Sequence, residues 1–186
     1  MPIATLPNAI SLLRALSGPI VLSLILAGSG SLLVAAFVVM ALAGASDFLD
    51  GFLARRLGVD SELGSVVDAV CDSIYHLSVF LAFLALHWLP AWMLFLIYAR
   101  ELIVPYLRTF VRQTGRTLSI RQSGKVKSAV HGLCQMAVVG LAIAQTSPVA
   151  LEADGRVLAL MGLATLASVV SLIDYIMAAQ RIVRAT

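Results

Sequence analysis

Long apolar runs separated by short polar breaks dominate the chain. A helix needs about 20 apolar residues to cross a bilayer. Runs of that length cover 8–27, 32–57, 61–87, 91–111, 126–146 and 156–179. Pro7 and Asn8 are helix-start signals before the first run, and Trp88 and Pro90 mark an interfacial turn after the third. The pattern predicts an all-α, polytopic integral membrane protein with six transmembrane helices.

The composition supports this interpretation. The 186 residues are 60% hydrophobic and only 12% charged, with a mean hydropathy of +0.98, which excludes an ordinary soluble domain. We expect one transmembrane domain over residues 1–186, with the lipid bilayer as a partner and no nucleic acid. Cys71 and Cys134 lie inside predicted spans and lack the spacing of metal ligands. We therefore expect both to be buried like small apolar residues and to form no disulfide. The first run lacks signal-peptide features, which favours an uncleaved span.

The distribution of basic residues predicts the orientation. Lysine and arginine cluster in the 108–127 connection, in the turn after the second run and at the C-terminal end, whereas the opposite connections carry only Arg156. By the positive-inside rule, both termini and the turn around Val59 are cytoplasmic. We therefore expect an integral protein of a bacterial-type inner or cell membrane.

Four carboxylates interrupt the second and third runs at Asp47, Asp50, Asp68 and Asp72. The spacings of three and four residues place each pair on one helix face. In an antiparallel hairpin around Val59, Asp50 and Asp68 share one depth, and Asp47 and Asp72 face each other one turn deeper. Four buried carboxylates cannot all ionise without a cation. Their hard oxygen atoms suit Mg²⁺ or Mn²⁺, as one ion or two, in a polar site that opens to the cytosol.

Two such ions could clamp a diphosphate and stabilise a leaving group. One carboxylate could then take the proton of an attacking hydroxyl group. The residues alone leave open which of the four is that base. A cation or proton transporter would also place carboxylates in spans, but the sequence lacks broken-helix signals, and all four acids are predicted to open to one side.

The pattern Asp-x2-Asp-Gly-x2-Ala-Arg-x8-Gly-x3-Asp-x3-Asp over residues 47–72 resembles the signature of the CDP-alcohol phosphotransferase family at all eight fixed positions. The resemblance implies metal ligands at Asp47, Asp50 and Asp68, with Asp72 completing the site and acting as the base. It also implies a binding surface for cytidine diphosphate at Asp50, Gly51, Ala54, Arg55 and Gly64. Related enzymes are commonly homodimers, so a homodimer is expected.

A second informative region runs from Arg100 to Lys127. Arg100 and Glu101 lie within a predicted span, where charges need partners or solvent. Arg108 and Lys125 lie at its cytosolic edge and are candidates for binding an anionic second substrate through charge-assisted hydrogen bonds. Other basic residues are assigned to the lipid headgroups, namely Arg112, Arg116, Arg181 and Arg184.

The order Arg100-Glu101, Leu107-Arg108 and then Gly-Lys-x-Lys-Ser over 124–128 resembles the phosphatidylglycerophosphate synthase branch of that family. The resemblance implies attack by glycerol 3-phosphate on CDP-diacylglycerol, giving phosphatidylglycerophosphate and CMP. Ser73, Ser128 and His131 depart from the residues usual in that branch, so inositol phosphate, inositol and serine remain alternative acceptors.

Three further polar residues of the spans have no assigned role. His76 lies one turn beyond Asp72 on the same helix face, where a satisfied core histidine is favoured over a partner of the carboxylate. Lys127 and Asp174 receive no predicted role.

Overall fold

A computed structural model of the chain describes residues 6–57, 62–119, 121–145, 151–152 and 154–184. Side chains are described for the same residues except 6–8, 47–57, 62–63 and 65.

The described chain is all-α. Its six helices are α1 (Leu6–Ala27), α2 (Gly30–Leu57), α3 (Glu62–Ala85), α4 (Ala91–Gln113), α5 (Gln122–Ala144) and α6 (Gly155–Arg184). Each corresponds to one predicted run. The largest differences are at the start of α5, predicted at 126, and at the end of α6, predicted at 179. At both boundaries the predicted run leaves out basic residues that belong to the helix in the structure.

Four of the helices have the length and composition of membrane spans within the described residues. The spans are Ala9–Ala27, Val66–Ala85, Gln122–Ala144 and Gly155–Arg184. In α2 the apolar stretch Gly30–Ser46 is shorter, and α4 carries the charged pair Arg100 and Glu101 near its middle. The chain is therefore an integral membrane protein, while spanning by all six helices stays a prediction.

Several charged side chains lie inside the helix packing, while many large apolar side chains are exposed. On α1, Arg14 is 3% exposed while the neighbouring Leu13 is 65% exposed. On α4, Glu101 is 9% exposed while Phe95 is 70% exposed. Water-soluble proteins have the opposite arrangement. A lipid surface provides the apolar environment that these outward side chains need.

The helices form two compact units. The first comprises Met1–His87 and Gln135–Glu152, and the second comprises Trp88–Cys134 and Ala153–Thr186. In the first unit α1 packs against both α2 and α3, and in the second α4 packs against α6. Cys71 and Cys134 are buried free thiols, which confirms their predicted character.

Gly18 permits a close approach between α1 and α3. A Cβ atom at this position would lie 3.0 Å from Tyr75 Cα and 3.0 Å from Ser78 Oγ. Because Tyr75 Cα belongs to the backbone, the helices themselves would have to separate. The absent side chain thus sets the spacing of α1 against the helix that carries Asp68 and Asp72.

We expect Gly18→Ala to lower the stability of the protein by about 1–3 kcal/mol, the usual cost of overpacking. The midpoint of thermal unfolding in detergent measures this change. Gly162→Ala is the matched control, because a Cβ atom at that position would have no neighbour within 4 Å. That control should be neutral or gain about 0.5–1 kcal/mol from the better helix propensity of alanine. Equal midpoints for both variants would contradict the close approach.

Candidate functional site

The predicted carboxylate cluster is divided between two helices of the first unit. Asp47 and Asp50 lie near the C-terminal end of α2, and Asp68 and Asp72 lie in the first half of α3. The side chains of Asp47 and Asp50 are outside the described residues, so their predicted contacts stay predictions. The same holds for Gly51, Ala54 and Arg55 of the predicted CDP surface. Gly64 lies half-buried near the start of α3.

A guanidinium group on α1 joins the two carboxylates of α3. Arg14 Nη2 donates a hydrogen bond to Asp68 Oδ1 at 3.3 Å, and Arg14 Nη1 lies 3.7 Å from Asp72 Oδ1. Ser11 Oγ also donates to Asp68 Oδ1, at 3.1 Å. Because one guanidinium contacts both acids, the structure confirms that the four-residue spacing presents Asp68 and Asp72 on one helix face. The sequence did not identify Arg14 as a site residue.

The burial of these groups differs in a way that suits a binding site. The Arg14 side chain is only 2% exposed, whereas Asp68 is 48% exposed and Asp72 is 19% exposed. A planar guanidinium has several donors in a fixed geometry and can contact two carboxylates at once. The cation is therefore held in the protein interior while the carboxylate oxygens reach the surface of the unit.

His76 approaches Asp72 from the next turn of α3. Its Nε2 atom lies 3.4 Å from Asp72 Oδ1, and its Nδ1 atom lies 2.7 Å from Gln135 Oε1. His76 is buried and hydrogen-bonded, as the favoured interpretation of a satisfied core histidine predicts. Its ring also contacts the carboxylate, which is the alternative that was not favoured. The spacing of four residues from Asp72 was the available signal in the sequence.

The carboxylates have the chemistry of a divalent-metal site. Mg²⁺ and Mn²⁺ prefer hard oxygen ligands and often use one or two carboxylates together with substrate phosphates. Asp68 and Asp72 supply such oxygens on one face, in partly exposed positions. Among the described side chains, no group of three or more His, Cys, Asp or Glu residues has metal-ligand geometry. The described residues thus fit part of the predicted site, and Asp47 and Asp50 remain its predicted other half.

We expect Arg14→Lys to lower kcat/KM by about tenfold to a hundredfold, the cost of one lost hydrogen bond to a charged group. A lysine keeps the charge but presents a single ammonium, which cannot hold both carboxylates as the guanidinium does. Steady-state release of CMP, the product that the family resemblance implies, measures the effect. Arg156→Lys is the control, because Arg156 pairs with Asp154 outside this cluster and is 62% exposed. An unchanged rate in folded R14K protein would contradict this role.

A second charged cluster is buried in the second unit. Arg100 Nη1 donates to Glu101 Oε1 at 3.0 Å, and Lys127 Nζ donates to the same oxygen at 2.7 Å. Arg100 Nη2 also donates to Ser171 Oγ at 3.2 Å, and its guanidinium lies over the ring of Tyr175. These partners confirm that Arg100 and Glu101 are paired inside the unit. The cluster connects α4, α5 and α6.

Gly124 fits beside this cluster because it lacks a side chain. A Cβ atom there would lie 3.1 Å from Tyr175 Oη and 3.4 Å from Arg100 Nη2. The Gly-Lys-x-Lys-Ser stretch therefore has a packing role at Gly124 and an ion-pair role at Lys127. Neither role was predicted from the sequence.

The two predicted acceptor-binding residues lie in the same unit. Arg108 is half-buried, and its Nε donates to the backbone oxygen of Leu118 at 3.4 Å. Lys125 is exposed at the start of α5. Both have cationic side chains suited to an anionic substrate, and their assignment to an acceptor phosphate stays a prediction.

A cavity of about 250 Å³ lies beside the C-terminal half of α6. Arg121, Asp174 and Arg181 are among its lining residues. Asp174 Oδ2 accepts hydrogen bonds from Arg121 Nε and from Ser123 Oγ, both at 2.5 Å. The hydrogen bond to Asp174 raises the pKa of Arg121, which lies in the connection before α5. In the sequence, Asp174 is a single acid within a long apolar run, which indicates that it needs a partner or solvent.

Comparison with known proteins identifies one family that covers most of the chain. The model of the CDP-alcohol phosphatidyltransferase family matches residues 4–179. A probable phosphatidylglycerophosphate synthase of Mycobacterium tuberculosis is 33% identical over 183 residues, covering 96% of this chain and 83% of the relative.

Two further relatives differ in their names. A CDP-diacylglycerol–glycerol-3-phosphate 3-phosphatidyltransferase of Bacillus subtilis is 29% identical over 135 residues, covering 66% of this chain and 70% of the relative. A cardiolipin synthase (CMP-forming) of Streptomyces coelicolor is 35% identical over 116 residues, covering 61% of this chain and 54% of the relative. The Bacillus relative is thus named for transfer from CDP-diacylglycerol to glycerol 3-phosphate, and the Streptomyces relative for the formation of cardiolipin and CMP.

Proposed function

The chain belongs to the CDP-alcohol phosphatidyltransferase family, and on that premise we propose that it transfers a phosphatidyl group from CDP-diacylglycerol to glycerol 3-phosphate. The products are phosphatidylglycerophosphate and CMP. The observation that carries the proposal is the pair Asp68 and Asp72, joined by buried Arg14 within an integral membrane protein. The acceptor follows from the names of the Mycobacterium and Bacillus relatives.

The reaction needs a base beside the attacking hydroxyl group. Asp72 takes the proton from a hydroxyl of glycerol 3-phosphate as that oxygen attacks the phosphorus bonded to the diacylglycerol. The bond from this phosphorus to the CMP oxygen then breaks, and CMP leaves with the electron pair. Arg14 holds Asp72 through Oδ1 at 3.7 Å, which keeps the carboxylate in place on α3.

Two Mg²⁺ or Mn²⁺ ions bound by Asp47, Asp50, Asp68 and Asp72 would withdraw charge from the diphosphate and stabilise CMP as the leaving group. The cytidine diphosphate lies along the motif residues Asp50, Gly51, Ala54, Arg55 and Gly64, where the small residues let a nucleotide approach the helix backbone. Arg108 and Lys125 bind the phosphate of the acceptor by charge-assisted hydrogen bonds.

The substrates also suggest the placement of the protein. CDP-diacylglycerol is a lipid, whereas glycerol 3-phosphate and CMP are water-soluble and occur in the cytosol. We propose six spans in a bacterial-type inner or cell membrane, with the site and both termini on the cytosolic side, as the basic residues indicate. A homodimer with one site in each protomer is part of the same proposal.

The test is CMP release from purified protein with CDP-diacylglycerol and Mg²⁺, with acceptors offered one at a time. Glycerol 3-phosphate is expected to support release, and inositol phosphate, inositol and serine are expected not to. Phosphatidylglycerol is included because of the Streptomyces relative that is named a cardiolipin synthase. Release only with another alcohol would overturn the acceptor and keep the chemistry. No release with any acceptor would overturn the proposed function.

A further inference from the structure

The imidazole of His76 connects the Asp72 carboxylate to a buried amide. His76 Nε2 lies 3.4 Å from Asp72 Oδ1, and His76 Nδ1 lies 2.7 Å from Gln135 Oε1. All three residues belong to the first unit, with Asp72 and His76 on α3 and Gln135 on α5. His76 is therefore located between the partly exposed carboxylate and a side chain in the core.

The hydrogen bonds of Gln135 determine how the ring is held. Gln135 Nε2 donates to the backbone oxygen of His76 at 2.8 Å. A backbone carbonyl can only accept, so the amide nitrogen must face it and the amide oxygen must face the ring. The oxygen in turn can only accept, so Nδ1 of His76 carries a hydrogen. The contact between Nε2 and Asp72 Oδ1 is attractive in the imidazolium form, in which Nε2 also carries a hydrogen and donates it to the carboxylate. Two hydrogen bonds from one side chain thus set the position and the rotation of the ring.

The burial of the pair makes this arrangement rigid. Gln135 is 0% exposed and His76 is 7% exposed. Leaving a buried amide without its hydrogen bonds destabilises the folded protein. Other positions of the Gln135 side chain are therefore disfavoured. The ring of Tyr75 also meets the His76 ring edge to face, with their centroids 5.1 Å apart. The ring therefore presents Nε2 to Asp72 from a fixed position.

We propose that His76 and Gln135 form a positioning pair that holds the Asp72 carboxylate in its working orientation. Gln135 orients the ring, and the ring contacts Oδ1 of Asp72, from which Arg14 Nη1 also lies 3.7 Å. The inference deepens the proposed function and rests on the role of Asp72 in it. Supporting residues of this kind typically change activity or metal affinity by about 10–100-fold when they are replaced.

Two amide substitutions at position 76 separate the two contacts of the ring. In His76→Gln, the amide reaches as far as Nε2 and keeps a donor for Asp72. In His76→Asn, the shorter amide replaces only Nδ1, so it keeps the bond to Gln135 and loses the contact with Asp72. The two variants differ by one methylene and are equally polar, which makes each a control for the other.

The first readout is the split between kcat and KM for CMP release. H76N is expected to lower kcat by about 10–100-fold with KM for both substrates nearly unchanged, and H76Q should retain a kcat at least about tenfold above that of H76N. The second readout is the affinity of the substrate-free protein for Mn²⁺, measured by electron paramagnetic resonance. It should weaken by about tenfold or more in H76N and much less in H76Q.

Gln135→Met tests whether the amide acts through the ring. Methionine fills a similar volume without the two hydrogen bonds. If both residues serve one contact, the double variant H76N/Q135M should have the kcat of the weaker single variant, within about twofold. Independent, multiplying losses would overturn the positioning pair and leave two separate structural roles.

His131→Asn controls for the loss of a buried imidazole. His131 is 1% exposed and hydrogen bonds through Nε2 to Ser168 Oγ at 2.8 Å, in the second unit. Its substitution should lower the thermal midpoint much as H76N does, without changing the Mn²⁺ affinity. Equal kcat and equal Mn²⁺ affinity in H76N and H76Q would overturn the proposal.

The wild-type assay separates this inference from the proposed function. If wild-type protein releases CMP only with another acceptor, the acceptor is wrong, and the comparison of H76N with H76Q still decides the positioning role. If wild-type protein releases no CMP at all, the proposed function fails, and the Mn²⁺ affinities of the same variants decide the role of the pair.

Discussion

Asp72→Asn is expected to lower the rate of CMP release by about 10²–10⁴-fold, the usual contribution of a positioned general base. Asparagine has nearly the same shape but cannot take the proton of the attacking hydroxyl group. The asparagine amide is also uncharged, so its contact with Arg14, at 3.7 Å in the wild type, is weaker than that of the carboxylate. Single-turnover release of CMP from CDP-diacylglycerol measures the loss at the chemical step.

The matched control is Asp154→Asn. Asp154 precedes α6, and the hydrogen bond from Arg156 lowers its pKa to about 2, so this substitution also removes a full negative charge at any ordinary assay pH. The Asp154 side chain is 11% exposed and that of its partner Arg156 is 62% exposed. Ion pairs that reach solvent contribute little, so D154N should release CMP at the wild-type rate. A rate in D72N within a few-fold of that of D154N would contradict the assignment of Asp72 as the base.

Glu101→Gln is expected to be the most destabilising of the substitutions considered for the second unit. Glu101 Oε1 accepts hydrogen bonds from Arg100 and from Lys127, and all three residues are buried. Removing one member of a buried ion pair typically costs about 3–5 kcal/mol, because an uncompensated charge remains. For a chain of this length, that corresponds to a decrease of roughly 6–20 °C in the unfolding midpoint in detergent.

A second substitution tests the cause of that loss. Glu101→Gln combined with Lys127→Met removes one of the two remaining cations, so the double variant should be more stable than E101Q. Asp174→Asn removes the acid of a less buried ion pair and so shows how much of the loss depends on burial. The Asp174 and Arg121 side chains are 26% and 39% exposed. D174N should lower the midpoint less than E101Q does. Equal midpoints for E101Q and the wild type would contradict a structural role for the cluster.

The helices were predictable because their signal is local. Each apolar run is long enough to cross a bilayer, and the breaks contain residues that end helices, such as Gly28, which has φ +69° between α1 and α2. The predicted end of α6 was too early, because the predicted run stopped before the basic Arg181 and Arg184, which were assigned to the lipid headgroups. In the structure both lie in the last turn of α6, where positive charge interacts favourably with the helix dipole.

The motif carboxylates were also predictable, since their spacing alone puts Asp68 and Asp72 on one face of a helix. Their partners were not predictable in the same way. Arg14 is 54 residues from Asp68 along the chain, and Gln135 is 59 residues from His76. No periodicity relates positions on different helices, because helix packing alone decides which faces meet.

The sequence by itself determined the class of protein, the positions of the helices and the two acids of α3 that share a face. These properties depend on composition and on spacing within a single helix. Only the tertiary structure decided that Arg14 joins those acids, that Gln135 orients His76 and that Lys127 is buried against Glu101. The physical reason is that a buried polar group needs a partner, and the identity of the partner depends on how closely two helices approach, as Gly18 allows between α1 and α3.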